Sequence, residues 1–156
     1  HSNLRRQRQM CIRDRNQPIG SIKDIDNPWK QSLWKLGDAM YNLNTIEHQI
    51  LRKMEDPRIH FAINCASFSC PVLLNVAFTA HSVDTQLEAL TIRFINDTQR
   101  NTIAPQAITI SKIFKWFSKD FNKKQTLIEF LNTYSTIKIQ RTAKINYMEY
   151  NWELNN

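Results

Sequence analysis

Glycine is almost absent from this chain, with only 2 among 156 residues. That scarcity excludes the Gly-rich turns that cradle phosphates in nucleotide-binding folds. Cysteine is also sparse, at 3, too few for a disulfide-stapled scaffold. No run approaches the ~20 apolar residues that a membrane-spanning helix needs, so no membrane-spanning segment is expected. There is no internal repeat. What remains, with 42% hydrophobic residues, suits a globular chain able to bury a core.

The charge needs correction before it is read. A net charge of +7 would ordinarily point to nucleic acid or an anionic surface. Residues 5 to 15, however, read Arg-Arg-Gln-Arg-Gln-Met-Cys-Ile-Arg-Asp-Arg, without hydrophobic period or signal-peptide core. Met10 to Asp14 matches the translation of a transposase sequencing adapter, so residues 1–15 are expected to be an artefactual or disordered tail. They hold five arginines and one aspartate, and without them the net charge falls from +7 to +3. Lys112, Lys115, Lys119, Lys123 and Lys124 then read as a solvated face interrupted by Asp120 and Glu129, and no nucleic-acid partner is expected. Cys11 leaves with the tail. The other two cysteines do not decide a compartment, and the sequence names no partner.

The chemistry-bearing stretch is Arg58 to Pro71, Arg-Ile-His-Phe-Ala-Ile-Asn-Cys-Ala-Ser-Phe-Ser-Cys-Pro, which follows an Asp56-Pro57 break. Ile59 to Asn64 predicts a short buried strand. Alternation would put His60, Ala62 and Asn64 on one face and Phe61, Ile63 and Cys65 on the other. Cys70 stands before Pro71 and the apolar Val72-Leu73-Leu74, a pattern that predicts a helix with Pro71 at its first position and Cys70 as its cap. The positive end of that helix would favour the thiolate, the nucleophilic form. A small buried hydrophobe is the plainer role for either cysteine, and a Cys65–Cys70 disulfide is a third.

Elsewhere, Ser21–Lys35 predicts a loop followed by a strand, and Gly37-Asp38 a hairpin turn. A helix capped by Asn42 or Asn44 carries Leu43, Ile46, Ile50, Leu51 and Met54. At 100° per residue Glu47 falls within that apolar stripe and His48 just beyond it. A carboxylate so placed either pairs with Arg52 or Arg58 or orients a histidine. Ser82 or Thr79 starts a helix through Val83, Leu87, Leu90 and Phe94 that stops near Asn96-Asp97, with His81 solvated at its start. Ala107–Ser111 predicts a strand, Ile113–Phe117 a short helix, Gln125–Tyr134 another, and Lys144–Tyr150 a late strand with Trp152 and Leu154 behind it.

Several of these stretches together resemble the domain of unknown function 547 family. The carriers are Ser21-Ile22-Lys23-Asp24-Ile25, Asn44-Thr45-Ile46-Glu47-His48, Asp56 to Ser67, Ser69-Cys70-Pro71, Ser111 to Trp116, and the closing Tyr150-Asn151-Trp152-Glu153-Leu154-Asn155. The likeness runs over residues 20 to 156. It implies a single α+β domain over residues 16–156, with a small central β-sheet flanked by helices. The family pattern begins upstream with a helical segment absent here, so an N-terminally truncated domain is expected. Its closing motif carries an aspartate where this chain has Asn151. The family occurs in bacterial, plant and animal proteins, and in outline it is similar to papain-like and transglutaminase-like cysteine proteinases and acyl-transferases.

Two functions follow as expectations. One is a thiol-dependent hydrolase or acyl-transferase with Cys70 as nucleophile, Cys65 in reserve, His60 or His48 as base, and Glu47 or Asn64 as orienter. The other is a non-catalytic interaction or scaffold module whose Cys, His and Glu residues form a structural network. A zinc site from His48, His60, Cys65 and Cys70 has suitable ligand types but long, uneven spacing. No cofactor or metal is assigned.

Overall fold

The fold is given by a computed structural model, which describes residues 14–32 and 34–155, without the side chains of Trp34 and Leu36. Cys11 and residues 1–13 of the expected tail lie outside the described residues. The protein is α+β, and the chain divides into two compact units. One comprises the described residues of His1–Thr79 and Asn151–Asn156; the other is Ala80–Tyr150.

In the first unit, Ser21 caps a 3-10 turn, Ile22–Asp24: its Oγ accepts the Lys23 amide, and Asp24 Oδ2 accepts the Gly20 and Ser21 amides. Strands β1 (Trp34–Leu36) and β2 (Ala39–Tyr41) form an antiparallel hairpin, Trp34 opposite Tyr41. Gly37 stands at its turn with φ of 60°, as the Gly37-Asp38 signal predicts. Asn42 then caps α1 (Leu43–Thr45), its Oδ1 accepting the Thr45 amide at 2.8 Å.

The predicted regular helix does not continue from there. The chain widens into a π-helical turn, Ile46–Leu51, and tightens into a 3-10 turn, Arg52–Met54. A 100° period therefore does not describe this segment. Ile46 and Leu51 are buried, whereas Met54 is exposed.

Residues 59–64 form no strand. The predicted strand is a 3-10 helix, Pro57–Phe61. Asp56 caps it by accepting the Arg58 amide at 2.9 Å and holds the Arg58 guanidinium at 2.7 Å. Proline at the first helical position supplies the backbone angle in advance. The two-faced alternation expected of a strand accordingly does not hold.

Residues 71–79 carry no regular structure, so the helix predicted after Cys70 is absent. The Pro71 carbonyl accepts the Asn64 side-chain amide at 2.8 Å.

Two small cores support this unit. Ile22, Ile25, Leu43 and Ala66 form one, and Ile46, Leu51 and Ile59 the other. Trp152 and Leu154, expected behind the late strand, belong to this unit and pack on the first core with Trp29. The rings of Trp29 and Trp152 meet edge to face at 6.3 Å. Segment 153–155 lies between two others. Ser21 bridges Glu153 and Ser67 bridges Leu154, both antiparallel, while the Leu154 and Asn155 amides donate to Gly20 and Ala66 carbonyls.

The second unit opens with α2 (Val83–Ile95), which follows Ser82 and ends at Asn96 as predicted. Leu87, Leu90 and Phe94 are buried, Val83 is exposed, and so is His81. Its sheet has the order β3 (Thr102–Ile103), β4 (Ala107–Ile110), β5 (Lys144–Tyr147). β3 and β4 are antiparallel; β4 and β5 are parallel. A parallel pair requires a crossover, here α3 (Lys112–Trp116), α4 (Ser118–Phe121) and α5 (Leu127–Tyr134). An aromatic file fills the core: Phe114 lies 6.2 Å from Phe94 and 5.1 Å from Phe121, which lies 5.1 Å from Phe130. Buried Asn101 ties α2 to the residue that follows β4, donating to the Phe94 carbonyl at 2.6 Å and accepting the Ser111 amide at 3.0 Å.

Among the described residues, no helix is long and apolar enough to cross a membrane. Lys112 pairs with Glu149 at 2.6 Å, and Lys115 Nζ sits 5.7 Å from the Tyr147 ring centre.

Candidate functional site

The candidate site is the loop from Asn64 to Pro71. Its path is set from inside by Asn64, whose Nδ2 donates to the Pro71 carbonyl and whose Oδ1 accepts the Ala66 amide at 2.7 Å. Ala66 takes a left-handed backbone, φ 58°, which is uncommon for a residue with a Cβ. That turn carries the chain into Ser67, and the Cys70 amide donates back to the Ser67 carbonyl at 3.0 Å.

From outside, the loop is held by the end of the chain. The Phe68 amide donates to the Glu153 carbonyl at 2.7 Å and the Ser69 amide to the Asn151 carbonyl at 3.2 Å. In return the Asn151 amide donates to Ser69 Oγ at 2.9 Å. Asn151 Oδ1 accepts the Glu153 amide at 2.8 Å, an acceptor role that an aspartate would fill equally well. This clasp joins residues more than eighty positions apart, which no local pattern reveals.

The loop brings Cys65 and Cys70 together. Both are thiols, and their sulfurs lie 2.9 Å apart. Cys70 Sγ also accepts the Cys65 backbone N–H at 2.8 Å and lies 3.8 Å from the Ile63 carbonyl. Cys65 Sγ is 2.9 Å from Ser67 Oγ. Cys70 is buried, whereas Cys65 is partly exposed.

The other predicted site residues are distributed as follows. His60 is buried on the 3-10 turn that leads into the loop. Glu47 and His48 lie on the π-helical turn, Glu47 half-buried and His48 exposed. Arg52 Nη1 is 3.0 Å from His48 Nδ1. A guanidinium can only donate, so Nδ1 must be the acceptor there and its lone pair is engaged. Asn64 commits both ends of its amide to the loop.

The zinc set is not assembled. Among the described residues, no three His, Cys, Asp or Glu side chains group as a metal site requires. No helix begins at Pro71, so Cys70 has no helix terminus beside it. Its place is taken by two donors aimed at the sulfur, one of them a main-chain amide that no sequence pattern announces.

A family profile described as Protein of unknown function, DUF547, matches residues 13–95, more than half of the chain. The chain belongs to this family. The DUF547 match takes in the π-helical turn, the Pro57–Phe61 turn and the whole thiol loop, and it ends with α2. No curated protein and no solved structure matches the chain.

Proposed function

We propose that the DUF547 loop from Asn64 to Pro71 is the reactive centre of a thiol-dependent hydrolase or acyl-transferase, with Cys70 Sγ as nucleophile and His60 as base. The observation that carries this reading is the pair of donors on Cys70 Sγ, the Cys65 amide at 2.8 Å and the Cys65 thiol at 2.9 Å. Hydrogen bonds donated to a sulfur favour its charged, nucleophilic form.

In the proposed reaction the Cys70 proton passes to the His60 imidazole, and the sulfur attacks an acyl carbonyl carbon. The C–O or C–N bond of the substrate breaks, a thioester forms, and the leaving group takes the proton from the imidazolium. Water or an amine then cleaves the thioester and regenerates the thiol. Asn64 acts by holding the loop.

The test uses the full chain with 4-nitrophenyl acetate. An acetyl adduct mapped to Cys70, absent in Cys70→Ala and slow to form in His60→Ala, supports the reading. Lack of any adduct at Cys70 in a folded chain would sink it.

A scaffold module is the second reading, favoured by one observation: the polar atoms of Asn64 are spent on the loop's own backbone. In that case Cys70→Ala lowers stability and leaves no reactivity to lose.

A further inference from the structure

We propose that Cys65 and Cys70 are a redox couple, with Cys65 the thiol that meets an external disulfide and Cys70 the thiol that resolves it. The two sulfurs are already 2.9 Å apart across four intervening residues. A disulfide bond is about 2.05 Å long, so closing it requires little more than a side-chain adjustment. The backbone between them is fixed in a shape that holds the sulfurs together, by Asn64 across its base, by the Cys70 to Ser67 hydrogen bond within it, and by the Phe68 and Ser69 bonds to residues 151–153 outside it.

The two thiols differ in the way an attacking and a resolving cysteine must. Cys65 is partly exposed and Cys70 is buried, so a disulfide as bulky as oxidised glutathione reaches Cys65 first. The Ser67 hydroxyl, 2.9 Å from Cys65 Sγ, is placed to donate to its thiolate. Cys70 Sγ then lies behind Cys65 Sγ for the second displacement.

The steps balance with a small-molecule disulfide, RSSR, as oxidant. The Cys65 sulfur attacks RSSR, the R–S–S–R bond breaks, and one RS⁻ leaves with the Cys65 proton as RSH. Cys70 sulfur attacks Cys65 Sγ, the mixed disulfide breaks, and the second RS⁻ leaves with the Cys70 proton. The protein loses two electrons and two protons, and RSSR is reduced to two RSH. The couple itself needs only the geometry. Its consequence, that oxidation silences the Cys70 nucleophile, rests on the acyl-transfer reading above.

The experiment treats the full chain, carrying Cys11→Ser, with oxidised glutathione and then alkylates it with iodoacetamide in denaturant. No Lys or Arg lies between Arg58 and Arg93, so both sulfurs fall in one tryptic peptide whose mass reports their state. The expected result is loss of two hydrogens, no alkylation at either position, and full recovery after dithiothreitol. Cys70→Ser is expected to retain glutathione on Cys65, because its resolving thiol is gone. Retention of glutathione on Cys65 in the chain that keeps Cys70, or alkylation of both thiols after oxidation, would overturn the couple.

Acetylation by 4-nitrophenyl acetate separates the two ideas. A chain that oxidises as expected but never acylates when reduced keeps the couple and loses the acyl-transfer reading. Undiminished acylation of Cys70 after oxidant treatment removes the couple and keeps that reading.

Discussion

The side-chain amide of Asn64 donates to the carbonyl oxygen of Pro71 across 2.8 Å, closing the base of the thiol loop from within. Its oxygen simultaneously accepts the Ala66 amide, at a residue held in left-handed backbone. Asn64→Ala would leave both backbone groups without this partner inside the protein. A buried group so stranded costs about 1–3 kcal/mol. Urea denaturation should show a loss of that order, and an unchanged midpoint would remove Asn64 from its role as the loop's brace.

Phe114 is fully buried between Phe94 and Phe121. Truncation to alanine removes the middle of the aromatic file and leaves a void, with an expected cost of about 3–5 kcal/mol. Phe114→Leu keeps most of the volume and should cost distinctly less. Equal losses for the two variants would mean that the file is not packed as described.

Glu129 closes the capping box at the start of α5. Its Oε2 accepts the Thr126 amide and the Thr126 hydroxyl, each at 2.9 Å. These bonds, the main-chain one first, hold its carboxyl below the usual glutamate value, with a smaller contribution from Arg141. A carboxyl lowered on folding stabilises the folded chain above its unfolded value, and that contribution is lost as the pH falls through its folded value. Glu129→Gln should therefore flatten the acid limb of the stability curve, as read by denaturation at a series of pH values. Superimposable acid limbs for the two proteins would contradict this.

Gly37 occupies the hairpin turn with φ of 60°, and a Cβ built there meets nothing within 4 Å. The cost of Gly37→Ala is thus one of backbone alone, about 1–2 kcal/mol for left-handed geometry. Asparagine tolerates that geometry better, so Gly37→Asn should recover part of the loss in a thermal melt. An alanine variant as stable as the parent would show that the turn relaxes to another type.

Legibility in the sequence followed the range of the forces involved. α2 is readable because Leu87, Leu90 and Phe94 repeat at helical spacing over about two turns. The hairpin was readable because glycine is rare here and Gly37-Asp38 stands between two candidate strands. Residues 59–64 differ from the predicted strand because a short apolar run fits a strand or a buried turn equally. The better signal lay just upstream, where Asp56 and Pro57 are a helix cap and first position.

At Cys70-Pro71 the same pairing of cap position and proline is followed by no helix. Cys65, Cys70 and Asn64 share one loop because they are near neighbours in the sequence. Their geometry is not legible there, because it depends on pairing with residues 151–155, and pairings of high sequence separation leave no local periodicity.

That pairing bears on the order in which the protein is made. The segment that clasps the thiol loop is translated after all of residues 80–150, so the loop is made well before its outer partner. Through that interval of synthesis, Cys65 and Cys70 exist on a nascent chain whose outer clasp has not yet been translated.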